Sequence, residues 1–162
     1  SKVKFEIQGT IEKVINLVDS QFKLNGIKII KSGDNLTINN FENELIQVII
    51  NILNNSRDEL IKKDSNTEKL VFINVSKEKK NLLLEIKDNA GGIPENIIER
   101  IFEPYFTTKY QSQGTGIGLY MSSEIIHKSM NGKINVKNIT FDYEEKNYTG
   151  ALFTILIPLE EV

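Results

Sequence analysis

Three groups of residues have the types and spacing to do chemistry, and all three suit a phosphorylated ligand. Gly114, Gly116 and Gly118 fall in the pattern G-x-G-x-G-L, with Thr115 and Ile117 between them and Leu119 behind. Residues without a Cβ let a backbone approach closely enough for its N–H groups to cradle phosphates. Upstream, Asn51 and Asn55 lie four apart, so on a helix they are neighbours on one face. An asparagine oxygen is a neutral hard ligand, suited to a Mg²⁺ that arrives on a nucleotide's phosphates and keeps several waters. Between these groups lies DNAGGIP, Asp88 to Pro94. A carboxylate fixed at a strand end there would accept a hydrogen bond from an exocyclic amine such as that of adenine. Lys109 has the reach and charge to meet a γ-phosphate.

Each group also has a plainer reading. A glycine-rich turn often makes only a tight corner. The chain holds eighteen asparagines, so two on one helix face could be a solvated edge. An Asp followed by two glycines could be a β-turn, Lys109 an exposed loop lysine, and Ile93, Ile97 and Ile101 either an apolar wall or the inner face of a short helix.

The elements that must position these residues follow from periodicity. Val3 to Ile7 reads as an edge strand, Thr10 to Leu24 as a helix, and Ile27 to Ile30 and Leu36 to Ile38 as short strands around a turn at Ser32 to Asn35. Phe41 to Ile61 is the longest helical pattern, capped by Asn39 or Asn40 with Glu42 behind. Its apolar face runs through Leu45, Val48, Ile49, Ile52, Leu53, Ser56 and Leu60, flanked by the polar stripe Glu44, Asn51, Asn55 and Asp58. Lys69 to Ser76 and Leu82 to Lys87 read as a hairpin, Glu95 to Phe102 as a short helix, and Leu119 to Met130 as a helix opened by the glycines. Such a helix would deliver the positive end of its dipole to the same phosphates. Two last strands, Lys133 to Lys137 and Ala151 to Ile157, are separated by a polar segment, Asn138 to Gly150. Phe102 and Phe106, four apart around Pro104, would pin a hinged lid from Thr107 onward. The expected fold class is α+β, a two-layer α/β sandwich with helices on one face of a mixed, mostly antiparallel sheet, in a single domain over residues 1 to 162.

Composition excludes other classes. A net charge of -2 argues against a nucleic-acid footprint, and the absence of cysteine removes disulfides and thiolate sites and suits the cytoplasm. The longest apolar stretch, Leu45 to Leu53, is far short of a membrane span, so direct membrane contact is not expected of this segment. His127 stands alone in its helix, where a structural role is expected.

Four boxes stand in one order: QVIINILNNSRDEL (47 to 60), DNAGGIP (88 to 94), FEPYFTTK (102 to 109) and GTGIGL (114 to 119). Together they resemble the catalytic and ATP-binding domain of bacterial sensor histidine kinases, of the Bergerat ATP-binding fold, over nearly the whole chain. The resemblance implies ATP and Mg²⁺ as cofactors. It implies that Asn55 coordinates Mg²⁺, Asn51 lies near the phosphates, Asp88 bonds the adenine amine, and Gly92 with Ile93 shapes that pocket. Lys109 and the run Gly114, Thr115, Gly116, Ile117, Gly118 and Leu119 would wrap the triphosphate. Its partners would be a helical dimerisation and phosphoacceptor domain and, downstream, a response regulator, in the cytoplasmic part of a membrane-bound or soluble sensor.

Three departures accompany the resemblance. Asp58 stands where many members have a basic residue, a form similar to the nitrogen-sensor and dicarboxylate-sensor branch, with Arg57 pointing about 100° away. Ala90 replaces the usual first glycine of its box. Nothing resembles the phosphoacceptor hairpin, so an excised catalytic domain is expected. Alternatives are a stand-alone ATPase or protein-serine kinase of the same fold, and an ATP-binding module without catalysis.

Overall fold

The computed structural model describes residues 1–106 and 117–159. A five-stranded sheet of order β2-β4-β5-β7-β6 carries the long helices on one face. Its strands are β2 (Ile27–Gly33), β4 (Lys69–Glu78), β5 (Asn81–Asp88), β6 (Lys133–Tyr143) and β7 (Lys146–Pro158). Only β2 and β4 run parallel; the other neighbours are antiparallel. The expected α+β layering is thus the one found.

Helix α1 (Ile7–Leu24) and helix α2 (Glu42–Leu60) supply the covering layer. Along β5, Leu82, Leu84, Ile86 and Asp88 face inward while Asn81, Leu83, Glu85 and Lys87 alternate outward. The inward row meets Leu45, Val48, Ile49, Ile52 and Leu53 of α2, all fully buried. Each such side chain contributes about 1.5–3 kcal/mol when withdrawn from water, so α2 is locked to the sheet at a fixed rotation. That rotation decides where its polar stripe points.

Four sequence expectations are corrected. The strand at the start is β1 (Val3–Glu6), and Ile7 already opens α1 with its side chain in the core. The segments around Ser32 to Asn35 do not pair with each other: β2 lies against β4, and β3 (Thr37–Asn40) pairs with β1 in a separate two-stranded sheet. Local spacing could not show this, because the Asp34 N–H reaches Val75 C=O at 2.8 Å and only then does the chain leave the sheet. The capping box did not form. Phe41 occupies the N-cap without a side-chain bond, while Glu42 turns to α1, accepting from Thr10 Oγ at 2.7 Å and Lys13 Nζ at 3.1 Å. Finally, the polar segment Asn138 to Gly150 belongs to one long hairpin of β6 and β7. Its turn is Glu144–Glu145, both at positive φ (49° and 67°), a mirror-image two-residue turn built without the usual Asn-Gly signal.

The aromatic side chains of this hairpin fold onto β4. Phe141 and Tyr143 meet Phe72 edge-on, with ring centroids 5.5 and 5.0 Å away, and Lys87 Nζ lies 4.2 Å from the Phe141 centroid. The clasp holds the hairpin against the end of the sheet where DNAGGIP emerges.

Candidate functional site

The site is organised along α2, whose polar residues reach two separate loops. Asn51 donates from Nδ2 to Gly118 C=O at 3.1 Å and to Ser122 Oγ at 3.0 Å, and its Oδ1 accepts from Gln47 at 2.9 Å. Ser122 Oγ in turn donates to Gly118 C=O at 2.9 Å. Asn51 therefore ties α2 to the first residue of helix α3 (Gly118–Glu124), which runs on as a π-helical turn over Ile125–Ser129. Leu119 is buried beside it and Ile117 half-buried. Lys109, Gly114, Thr115 and Gly116 lie outside the described residues, as does the expected lid from Thr107.

One turn along α2, about 6 Å of rise, Asn55 is only 3% exposed. Its Oδ1 is buried without a hydrogen-bond partner among the described residues. An orphaned acceptor in a packed interior costs about 1–3 kcal/mol, so its retention needs a reason. As a neutral, hard oxygen donor the atom would fit a cation such as Mg²⁺.

The next residue reaches the other loop. Ser56 Oγ donates to Asp88 Oδ2 at 2.9 Å, while Asp88 Oδ1 accepts from the N–H groups of Ala90 and Ala151 at 3.0 and 3.3 Å. Asp88 is 3% exposed. Burial pushes its carboxyl above the usual carboxylate range, against the downward pull of these three donors and of the Lys63 ammonium. Burial likewise raises Glu59, with the Asp58 and Asp88 charges adding to the effect.

The loop after Asp88 is held on both sides. Asn89 acts as a short strand, accepting from Leu70 N–H at 2.9 Å and donating to Glu68 C=O at 2.7 Å. Ala90 is buried at a negative φ, so its Cβ is accommodated where a glycine was expected. Gly91 and Gly92 take φ of 99° and 90°, and the Gly91 N–H donates to Thr149 C=O at 2.9 Å. Ile93 is buried, and Asn138 grips both its peptide groups. Behind the loop, Ile101 is fully buried and Phe102 stands edge-on to Phe153, centroids 6.2 Å apart. Arg100 covers Phe106, its guanidinium carbon 4.3 Å from the ring centroid.

Sequence reasoning placed Asn51, Asn55, Asp88, Gly92, Ile93, Gly118 and Leu119 on elements that the fold does bring together. It assigned Ser56 only to the apolar face; a hydroxyl in an otherwise aliphatic row was the available signal. Asn138 and Gly150 were passed over inside a segment read only as a polar separator between two strands. A Cβ on Gly150 would lie 1.6 Å from Asp88 C=O, so this crossing of β5 and β7 admits only glycine. Asp58 is buried, and Arg57 folds back to it at 3.0 Å while also reaching Gln21 at 2.5 Å. His127 is exposed. No helix among the described residues is long and apolar enough to cross a membrane.

With this geometry in place, comparison with known proteins defines the class. Residues 40–161 match the family described as histidine kinase-, DNA gyrase B-, and HSP90-like ATPase, and the chain belongs to that family. Its relatives make it an ATP-binding catalytic domain of the sensor histidine kinase type. It is 37% identical to the two-component sensor PprA of Pseudomonas aeruginosa over 72% of this chain and 12% of that protein. It is 34% identical to sporulation kinase A of Bacillus subtilis over 97% of this chain and 24% of that protein. The chain therefore spans a quarter or less of these two curated relatives. Among solved structures, the nucleotide-free catalytic domain of the histidine kinase ThkA superposes with a TM-score of 0.79 at 25% identity, covering 98% of this chain and 96% of that one.

Proposed function

We propose that this domain binds Mg-ATP along α2 and presents its γ-phosphate to a histidine on a separate helical dimerisation and phosphoacceptor domain, for relay to a response regulator. The observation that carries the reading is the continuous polar row Asn51, Asn55 and Ser56, bonded at one end to Gly118 and at the other to Asp88. A nucleotide laid along that row has its base at Asp88 and its phosphates at the glycine turn.

In this reading Asp88 accepts from the adenine amine, and Gly92 and Ile93 form the floor beneath the base. Asn55 holds Mg²⁺, which when bound neutralises phosphate charge. Ile117, Gly118 and Leu119 complete the phosphate end together with Lys109, Gly114, Thr115 and Gly116. Asn51, Asn55 and Lys109 are the residues that would act on the transferring group, by position and charge. The γ-phosphoryl leaves the β-phosphate oxygen for an imidazole nitrogen of the acceptor, and ADP remains.

Named neighbours support the partners. ThkA is known in complex with the response regulator protein TrrA, and full-length ShkA in complex with AMPPNP. A cytoplasmic setting follows from the same reading. Transfer is favoured over hydrolysis because Asn51, one turn before Asn55, is an amide occupied by Gly118 and Ser122. Gyrase- and chaperone-type ATPases of the same fold carry a glutamate base at that position, where this chain has Asn51.

Radiolabelled ATP incubated with the chain and a histidine-bearing hairpin from a sensor kinase should label the hairpin, and only when the chain and Mg²⁺ are both present. Binding without transfer across several hairpins would favour a module without catalysis. Rapid phosphate release by the chain alone would favour a stand-alone ATPase.

A further inference from the structure

We infer that Asn138 is a positioning residue of the base-binding loop, clamping Ile93 so that a purine meets Asp88 at a fixed angle. The inference rests on the reading of Asp88 as acceptor for the adenine amine.

Asn138 uses both ends of its amide on one residue. Its Oδ1 accepts from the Ile93 N–H at 2.8 Å, and its Nδ2 donates to the Ile93 C=O at 2.6 Å and to Glu95 Oε1 at 3.2 Å. The side chain thus imitates the paired bonds that a neighbouring strand would make. Immediately before Ile93, two consecutive glycines at positive φ have the greatest backbone freedom of any residue pair, so their conformation must be imposed from outside. Among the described residues, the bonds on either side of Gly92 come from the β6–β7 hairpin: Asn138 on Ile93 and Thr149 on Gly91.

The fit is mutual. A Cβ on Gly92 would lie 2.9 Å from Asn138 Oδ1, so the amide sits where only glycine leaves room. Asn138 also pairs across the hairpin with Ala151, whose N–H donates to Asp88 Oδ1. One register position of the hairpin therefore holds both the proposed amine acceptor and the loop that sets the base plane. Displacing it uncouples the two.

Mg-ATP and Mg-ITP separate positioning from bulk stability, because hypoxanthine replaces the amine with a carbonyl. Titration calorimetry of the 162-residue chain and its Asn138→Ala, Asn138→Asp and Asp88→Asn variants gives the affinity ratio of the two nucleotides. In Asn138→Ala, ATP affinity should fall about tenfold, the equivalent of one good hydrogen bond, and ITP affinity about twofold or less. Asn138→Asp keeps the acceptor for Ile93 N–H but loses the donor, and should lie between. If Asn138→Ala does not fold, the ratio in Asn138→Asp decides by the same criterion. An unchanged ratio in the Asn138 variants overturns the inference, whether both affinities fall together or neither moves. Asp88→Asn should narrow the ratio with Asn138 intact; no narrowing there would refute the base reading itself.

Discussion

Asp88 and Asn55 are both buried polar groups, and the proposed function gives each a ligand to meet. Asn55→Ala removes an acceptor that no described residue satisfies, at the cost of a small cavity. Thermal unfolding should shift by no more than about 1 kcal/mol, whereas Mg-ATP affinity should drop at least about tenfold and ATP affinity in EDTA should hardly change. A loss of more than about 2 kcal/mol with affinity intact would make Asn55 an ordinary packing residue. For Asp88 the pH dependence has two opposite signs. Burial raises its pKa, so the fold-stabilising contribution is present below the unfolded-state pKa and lost as pH rises through the folded-state value. Nucleotide recognition needs the ionised acceptor, so ATP affinity should weaken as pH falls through that same raised pKa. Urea midpoints and ATP titrations across pH, each compared with Asp88→Asn, should show both trends vanishing in the variant.

At the scale of elements, α2 acts as a ruler and the β6–β7 hairpin as the clamp on its far end. The ruler was legible in the sequence, because its apolar period is regular and Asn51, Asn55 and Asp58 repeat at helical spacing. The β4–β5 hairpin was equally legible from its alternation around Lys77 to Asn81. The clamp was not. A turn at Glu144–Glu145 has no sequence signal when neither residue is Gly or Asn, and the strand either side of it carries Asn138, Asp142 and Asn147 outward or onto the loop. What holds the hairpin down is a set of long-range aromatic contacts that periodicity cannot reveal. Gly150→Ala tests the clamp directly. The added Cβ has to displace the Asp88 peptide, so urea unfolding should lose about 2 kcal/mol or more, and ATP affinity should fall with it. Full stability in Gly150→Ala would show that the β5–β7 crossing relaxes freely.

For the whole molecule, the family is set by the order and joint presence of four boxes that are individually ambiguous. The fold accounts for why they need that order. The strand pairing places the end of β5 beside α2, α2 reaches both loops, and the sheet-facing aliphatic row fixes which way its asparagines point. The role of Asn138 was hidden for the same reason that the β2–β4 pairing was: both depend on contacts between residues more than 40 apart in sequence. The central claim is that adenine binds at Asp88 with its phosphates running toward Gly118. Titration calorimetry of Mg-ATP against the wild-type chain and Asp88→Asn tests it most directly. The expected result is saturable, Mg-dependent binding that weakens by at least about tenfold, or 1.4 kcal/mol, in a variant that remains folded. Equal affinity of the two proteins for Mg-ATP would contradict it.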